Sequence, residues 1–281
     1  MRITEVFVAR AAEGHPTVSL EVFPPKTSHG EATVLETVSH LSGRPDFISV
    51  TYRGESGAAT GTLASRIRET TGVEVVCHLT AVRSTRADIA ATLARLEGWD
   101  LTNILALRGD GASDEPDDYP RAVDLIADLK THADLCVGAA TYPEGHVSSP
   151  LDHENIDHLR AKYDAGADFF VSQLFFDNDR FYRLLEDGRA AGVAAPIAAG
   201  IMPIMSTANI ERLILFGASL PTRLIKIIHR YRDAPADLEK AGLDFAFAQI
   251  DDLLAHGVDG VHLYTMNRAS VANQALTRYL V

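Results

Sequence analysis

The sequence predicts an α/β protein, a single (βα)8 TIM barrel over residues 1–281 with an extra helix or two before the last strand. Short runs rich in β-branched residues alternate with longer amphipathic segments along the chain, which is typical of a parallel sheet with helical crossovers. Eight such pairs in about 250 residues favour a closed barrel over an open sheet. An open dinucleotide-binding sheet would carry G-x-G-x-x-G after its first strand, where this sequence has Phe23-Pro24-Pro25.

The predicted strands are short apolar runs, and the first of them alternates most clearly. Val18, Leu20 and Val22 share one face of that strand, so Ser19 and Glu21 share the other. The eight predicted strands cover residues 18–23, 46–51, 74–79, 102–107, 135–140, 168–174, 196–201 and 260–264.

The predicted helices follow from apolar residues spaced three and four apart, together with start and stop residues. Thr85 followed by Asp88 predicts a capping box. Ser206 and Gly217 mark the start and the end of another helix. The predicted helices cover residues 31–41, 62–71, a segment beginning at 85, 119–132, 151–165, 179–191, 206–216, 221–231, 236–256 and 269–279.

Composition excludes several classes of function. The net charge of −12 argues against nucleic-acid binding, which depends on Lys and Arg facing phosphates. No apolar run reaches the roughly 18 residues that a membrane span needs. Residues 1–17 lack a basic segment followed by an apolar one, so we expect no secretory signal and a cytoplasmic location.

The two cysteines and the eleven histidines carry no metal-binding pattern. Cys77 and Cys136 lie in apolar runs, which predicts buried free thiols rather than a disulfide. HxH, CxxC and H-E-x-x-H spacings do not occur, so we expect no dedicated metal site.

Polar residues follow nearly every predicted strand. Taken singly, each is typical of a hydrogen-bonded wall residue, but the carboxyl ends of barrel strands meet at the face that carries active sites. Their convergence therefore predicts an active site there. The residues are Glu21, Thr51, Tyr52, His78, Arg108, Gly109, Asp110, Tyr142, His146, Gln173 and those at 264–268.

Glu21 is the sharpest candidate for catalysis. If Val18, Leu20 and Val22 pack against helices, Glu21 points into the barrel. An ionised carboxylate is costly in such a place, so this side chain is suited to holding and donating a proton. An exposed or ion-paired strand glutamate fits the same alternation.

Residues 108–110 end the fourth strand with a cation, a flexible backbone and an anion. Arg108 and the Gly109 backbone suit a phosphate or a ring carbonyl, although a solvated turn with a local ion pair fits equally well. By default, residues 142–146 form a turn and Lys162 is a solvated surface lysine on a helix.

Nine short motifs, distributed in order along residues 18–280, resemble those of the bacterial methylenetetrahydrofolate reductases. The resemblance implies a barrel that holds FAD, takes hydride from NADH or NADPH, and passes it to 5,10-methylenetetrahydrofolate in a ping-pong reaction that yields 5-methyltetrahydrofolate. The matching motifs are 20–25 (LEVFPP), 47–52 (FISVTY), 78–80 (HLT), 106–110 (ALRGD), 142–146 (YPEGH), 164–167 (DAGA), 172–177 (SQLFFD), 200–203 (GIMP) and 264–268 (YTMNR).

The resemblance also implies roles for individual residues. Glu21 matches the general acid that assists opening of the imidazolidine ring, and Asp110 matches a catalytic residue beside both flavin and pterin. Gln173 matches a residue shared by folate and nicotinamide, and Arg268 matches a folate contact; Glu21 and Asp110 also touch the folate. The implied flavin contacts are Thr51, Tyr52, His78, Leu107, Arg108, Gly109, Asp110, Tyr142, His146 and Lys162.

The sequence departs from the family on two helices. Family members often carry an acidic residue, an Asn and an Arg on the helix leading into Lys162, where this chain has Asn155, His158 and Ala161. An arginine lost from a phosphate site removes a bidentate contact, which predicts weaker FAD binding. On the next helix, Asn209 and Leu213 replace a family Gln and Phe that contact folate.

Three alternatives follow from these observations. Direct hydride transfer from NADH to the folate, without flavin, would keep the barrel and the substrate. A Schiff-base aldolase would need a lysine at a strand end, but all five lysines are predicted in loops or helices. A non-enzymatic folate- or flavin-binding protein would not need an inward Glu21. A homo-oligomer is compatible with the family, and no motif distinguishes NADH from NADPH.

Overall fold

The computed structural model describes residues 1–41, 43–53, 57–109, 118–132, 134–146, 154–210, 213 and 217–280. Eight parallel strands close into a barrel in which each strand pairs with the next and β8 pairs with β1. The strands are β1 Thr17–Val22, β2 Phe47–Val50, β3 Glu74–Thr80, β4 Asn103–Leu107, β5 Cys136–Thr141, β6 Phe169–Ser172, β7 Ile197–Ile201 and β8 Gly260–Tyr264. The predicted fold class is confirmed, and the predicted strand ends lie within about two residues of the observed ones.

Helices surround the barrel and cover its outer face. Two of them, α8 and α9, lie between β7 and β8, which confirms the predicted extra helices. The helices are α1 Ile3–Ala12, α2 Ser28–Ser39, α3 Ala58–Thr71, α4 Arg86–Glu97, α5 Ala122–Leu129, α6 Glu154–Asp164, α7 Asn178–Ala190, α8 Thr222–Tyr231, α9 Pro235–Ala255 and α10 Ala269–Tyr279. None of the described helices is long and apolar enough to cross a lipid bilayer.

Helix α1 was not predicted, and it packs against the amino end of the barrel. Phe7 lies 6.2 Å from Phe47 and 6.4 Å from Phe169 between ring centroids. The backbone N–H of Ile3 donates to Asn103 Oδ1 at 3.0 Å. Only three positions of this helix are buried, so its apolar stripe is too short to predict a helix from the sequence.

Capping decides where several helices begin. The box at the start of α4 is confirmed, since Thr85 N–H donates to Asp88 Oδ2 at 2.9 Å and Asp88 N–H donates to Thr85 Oγ1 at 3.2 Å. Helix α2 begins three residues before its predicted start because Thr27 Oγ1 accepts the N–H of Gly30. The capping role predicted for Ser206 is wrong: its side chain makes no capping bond, and a short 3-10 turn, Thr207–Asn209, follows it.

The outer core lies between the strands and the helices. Val18, Leu20 and Val22 pack there, as their alternation predicts. Cys77 and Cys136 are both buried and unpaired, and burial raises the pKa of the Cys77 thiol to about 12. Parts of two predicted helices, 151–153 and most of 210–216, lie outside the described residues.

Candidate active site

A carboxylate and two imidazoles meet inside the barrel. Glu21 Oε2 on β1 lies 3.6 Å from Nε2 of His78 on β3 and 3.6 Å from Nε2 of His262 on β8. The Glu21 side chain is 19% exposed, so the alternative of an exposed strand glutamate is wrong. Its neighbours can accept or donate a proton, which makes the cluster suited to acid-base chemistry.

His78 is a neutral imidazole at neutral pH. Burial lowers its pKa to about 4, and the nearby charge of Glu21 opposes that shift only in part. His78 therefore adds no positive charge beside Glu21 above pH 5. It contributes a polar wall without forming a salt bridge.

His262 is a site residue that the sequence predictions missed. It is fully buried, its Nδ1 lies 2.8 Å from Ser19 Oγ, and its ring stacks on Phe47 at 6.1 Å. The signal was available in the sequence, because Val261 and Leu263 are apolar neighbours that pack outward and leave His262 facing inward.

Tyr264 and Gln173 complete the inner wall near the carboxyl ends of the strands. The hydroxyl of Tyr264 donates to the backbone carbonyl of Ser172 at 2.8 Å. Burial, with a contribution from Glu21, raises the Tyr264 pKa well above 10, so the phenol stays neutral. Gln173 is half-buried, and its Oε1 accepts the backbone N–H of Leu174 at 2.9 Å.

Thr51 and Tyr52 follow β2 at the same end of the barrel. The backbone N–H of Thr51 donates to the backbone carbonyl of Val22 at 3.0 Å, which ties this loop to the end of β1. Tyr52 is half-buried, and burial raises the pKa of its phenol. Thr51 therefore lies beside the strand that carries Glu21.

A cavity of about 420 Å³ opens beside the carboxyl ends of β4 and β5, against α5 and α6. It brings together five of the residues that the resemblance assigns to flavin. Basic and apolar side chains share its walls, which suits a ligand with an anionic segment and a flat ring. Its lining is Ala106, Leu107, Arg108, Pro120, Arg121, Ala122, Val123, Ala140, Tyr142, His146, His158, Ala161 and Lys162.

Lys162 is a wall residue of this cavity rather than a solvated surface lysine, so the default interpretation was wrong. Its Nζ donates to the backbone carbonyl of Ala140 at 2.9 Å and lies 5.3 Å from the centre of the Tyr142 ring. Burial lowers the Lys162 pKa to about 8. Its place on a helix predicted a solvated side chain, but this long side chain reaches inward to the end of β5.

The three departures on α6 differ in what they do. Asn155 is buried and its Nδ2 donates to the backbone carbonyl of Tyr142, so it fastens α6 to the end of β5. His158 and Ala161 line the cavity and are exposed. Ala161, at the position where the resemblance implies an arginine in many family members, thus presents a methyl group to the cavity.

Other predicted residues lie away from the inner cluster or outside the described part. Arg268 is exposed and its Nη1 lies 3.0 Å from Glu239 Oε2. Leu213 is buried in an apolar cluster with Leu174 and Ile204, as a packing residue. Asp110 and the side chain of Asn209 lie outside the described residues; Gly109, just before Asp110, has φ +89°.

The sequence matches the methylenetetrahydrofolate reductase family over residues 7–279. The chain belongs to that family. Its curated relatives include the 5,10-methylenetetrahydrofolate reductases of Salmonella typhimurium, 34% identical over 92% of this chain and 89% of that protein, and of Escherichia coli, 32% identical with the same coverage. These relatives are oxidoreductases by name.

Longer relatives share only the barrel. Methylenetetrahydrofolate reductase 1 of Schizosaccharomyces pombe is 33% identical over 93% of this chain, but the chain spans only 45% of that protein. An uncharacterized protein from Clostridium thermocellum that binds two copies of 5-methyl-5,6,7,8-tetrahydrofolic acid aligns over 99% of both chains with a TM-score of 0.70 and 15% identity. That likeness shows the fold alone.

Proposed function

We propose that this protein reduces 5,10-methylenetetrahydrofolate to 5-methyltetrahydrofolate with hydride from NADH or NADPH and with FAD as the intermediate carrier. The observation that carries the proposal is the placement of Glu21 inside the barrel between two buried imidazoles. Family membership supports the same reaction. A simple binding protein has no need of a carboxyl group held in this way.

The cavity at β4 and β5 fits the anionic and aromatic parts of FAD. Arg108, Arg121 and Lys162 supply cationic donors for the diphosphate, while Leu107 and Val123 supply apolar contact for a flat ring. FAD bound there would supply a two-electron carrier between the nicotinamide and the folate. His146 and Tyr142 line the same cavity and complete its polar wall.

Glu21 supplies the proton that opens the folate ring. In its neutral form the carboxyl group donates this proton to the ring nitrogen that leaves the methylene carbon, and that carbon becomes part of an electrophilic iminium. The hydride then adds to the same methylene carbon, which becomes the methyl group.

Gln173, Arg268 and Asp110 are proposed folate contacts. Gln173 lies at the end of β6 with an amide that can pair with a pterin edge. Arg268 is exposed beside Glu239, so it can exchange this partner for a folate carboxylate in a bidentate contact. Asp110 follows β4 and carries the charge that the resemblance places near the pterin.

The Glu21→Gln variant tests the proposed acid. Amide cannot donate the required proton, so formation of 5-methyltetrahydrofolate should fall by roughly 10²–10⁴-fold while reduction of bound flavin by NADH or NADPH stays within about twofold. Glu74→Gln, at the opposite end of a barrel strand, is the matched control. Equal loss of both half-reactions, or no loss in either, contradicts the role of Glu21.

Direct hydride transfer without flavin is the second candidate. It is favoured by one observation, the methyl group of Ala161 at a cavity-lining position where family members carry an arginine. The same inner cluster would then serve the folate, with the nicotinamide rather than flavin beside it. Retention of FAD by the purified protein separates the two candidates.

A further inference from the structure

Ser19 and His262 form a hydrogen-bonded pair directly below Glu21 in the barrel. They are register partners across β1 and β8, and both are fully buried. Ser19 Oγ donates to the backbone carbonyl of Val261 at 3.2 Å and lies 2.8 Å from His262 Nδ1. Neither residue is among the site residues predicted from the sequence.

The hydroxyl of Ser19 has a single proton, so both contacts are hydrogen bonds only if that proton goes to one partner and the other partner donates to Ser19 Oγ. A carbonyl oxygen can only accept, so the contact with Val261 uses the hydroxyl proton. The contact with His262 is then made by an Nδ1–H that donates to Ser19 Oγ. A neutral imidazole with its proton on Nδ1 has a bare lone pair on Nε2.

That bare nitrogen faces the carboxyl group of Glu21. His262 Nε2 is buried, has no hydrogen-bond partner among the described residues, and lies 3.6 Å from Glu21 Oε2. At 3.6 Å no bond has formed, but rotation of the Glu21 carboxyl group can bring an O–H toward Nε2. A carboxylate in the same place would face a lone pair, which is repulsive.

We propose that Ser19 fixes the tautomer of His262, so that the bare Nε2 of this imidazole keeps the proton on Glu21 until the folate arrives. His262 is a positioning residue, since it acts through Glu21 and not on the substrate. The inference rests on the proposed function, because it explains how the general acid keeps the proton that the reaction uses.

Two other titratable groups face Glu21. His78 on β3 has a pKa of about 4 and presents a second neutral imidazole, with Nε2 3.6 Å from Glu21 Oε2, but among the described residues it lacks the serine partner that fixes the tautomer of His262. The phenol of Tyr264 on β8 has a pKa well above 10 and stays neutral. Tyr142 on the loop after β5 contributes to the raised pKa of Tyr264. Asp110 follows β4, outside the described residues.

The tautomer can be read directly by ¹⁵N NMR of protein labelled on histidine. Protonated and bare imidazole nitrogens resonate far apart, and loss of signals in His262→Gln assigns the ring. We expect a protonated Nδ1 and a bare Nε2. A protonated Nε2, or an imidazolium with both nitrogens protonated, overturns the inference. This reading does not depend on catalysis, so it stands apart from the fate of the proposed reaction.

The Ser19→Ala variant tests the consequence. Without the acceptor, His262 can move its proton to Nε2 and donate to a Glu21 carboxylate, which favours loss of the acid proton. With FAD saturating, the alkaline limb of the folate half-reaction should move toward lower pH by about one unit, and the rate at pH 7.5 should fall severalfold. The infrared carbonyl band of protonated Glu21, identified by its loss in Glu21→Gln, should weaken in parallel.

Ser49→Ala is the matched control. Ser49 is also a fully buried serine of the barrel interior, but its Oγ has no partner among the described residues. Its pH profile should match that of the wild type. If Ser19→Ala behaves like Ser49→Ala while Glu21→Gln loses folate reduction, the tautomer inference fails and the proposed function survives. If Glu21→Gln retains folate reduction, the proposed function fails instead.

Discussion

The Nζ atom of Lys162 on α6 donates a hydrogen bond to the backbone carbonyl of Ala140, 2.9 Å away near the end of β5. This bond draws a lysine into the wall of the cavity and leaves its ammonium poorly solvated. Burial accordingly lowers the Lys162 pKa to about 8. The charge of Lys162 therefore changes within a physiologically relevant range, unlike that of the arginines in the cavity.

FAD affinity should weaken as the pH rises from 7 to 9. Lys162 is charged below its pKa of about 8 and neutral above it, and only the charged form attracts a diphosphate. The Kd for FAD should rise up to about tenfold over this interval. Fluorescence titration of FAD measures the change, with Lys162→Met expected to bind weakly with a flat profile. Lys240→Met, at an exposed position on α9, should keep the wild-type slope.

Restoring an arginine at position 161 should tighten FAD binding. Ala161 is exposed and lines the cavity, so the Ala161→Arg guanidinium can reach a diphosphate without displacing the core. We expect the Kd for FAD to fall about tenfold, which corresponds to about 1.4 kcal/mol. Ala190→Arg, on the exposed end of α7, serves as the control. Unchanged affinity in Ala161→Arg would show that the diphosphate does not bind near α6.

Buried His78 should make the fold sensitive to mild acid. Its folded-state pKa of about 4 lies below the ordinary value of 6.5, so the unfolded chain takes up the proton first as the pH falls. This contribution to stability is complete above pH 6.5 and is lost between pH 6.5 and 4, at a cost of about 2 kcal/mol by pH 5. Urea unfolding at fixed FAD concentration measures it. The slope of the unfolding free energy against pH should shrink in His78→Gln. It should persist in His40→Gln, a variant at an exposed position. Equal slopes in these two variants and the wild type would refute the prediction.

Gly200 should tolerate no side chain. A Cβ at this position of β7 would meet the backbone carbonyl of Ser172 and come within 2.8 Å of the Tyr264 hydroxyl. Gly200→Ala should therefore lower the free energy of unfolding by about 1–3 kcal/mol and disturb the wall near Glu21. Gly98→Ala, whose new Cβ would have its nearest contact at 3.4 Å, should be close to neutral. Thermal unfolding of both variants measures the difference. Equal losses of stability in Gly200→Ala and Gly98→Ala would mean that the barrel wall adapts to the added Cβ.

Alternation was the most informative signal for both the fold and the inner site. It placed Val18, Leu20 and Val22 outward and Glu21 inward, and the same reasoning applied to β8 would have found His262. Residue spacing predicted less well those features that depend on tertiary contacts. Helix α1 buries only three residues, and Lys162 reaches the cavity through a long side chain whose course no periodicity reveals.

The tautomer of a histidine and the capping of a helix are harder to predict from residue spacing. The orientation of the His262 ring depends on Ser19, 243 residues away in the chain but adjacent in the sheet. Ser206 has the residue type of a helix cap, yet its side chain makes no such bond, because a short 3-10 turn follows it. The first outcome depends on a contact between distant strands, and the second on the local turn that follows Ser206.

The most direct test of the account is the visible absorption spectrum of the purified protein, followed anaerobically on addition of NADH and then of 5,10-methylenetetrahydrofolate. We predict a flavin spectrum that bleaches with NADH and returns when the folate is added. A colourless protein that added FAD does not reconstitute, and that oxidises NADH only when the folate is present, would contradict the flavin mechanism and establish direct hydride transfer on the same barrel.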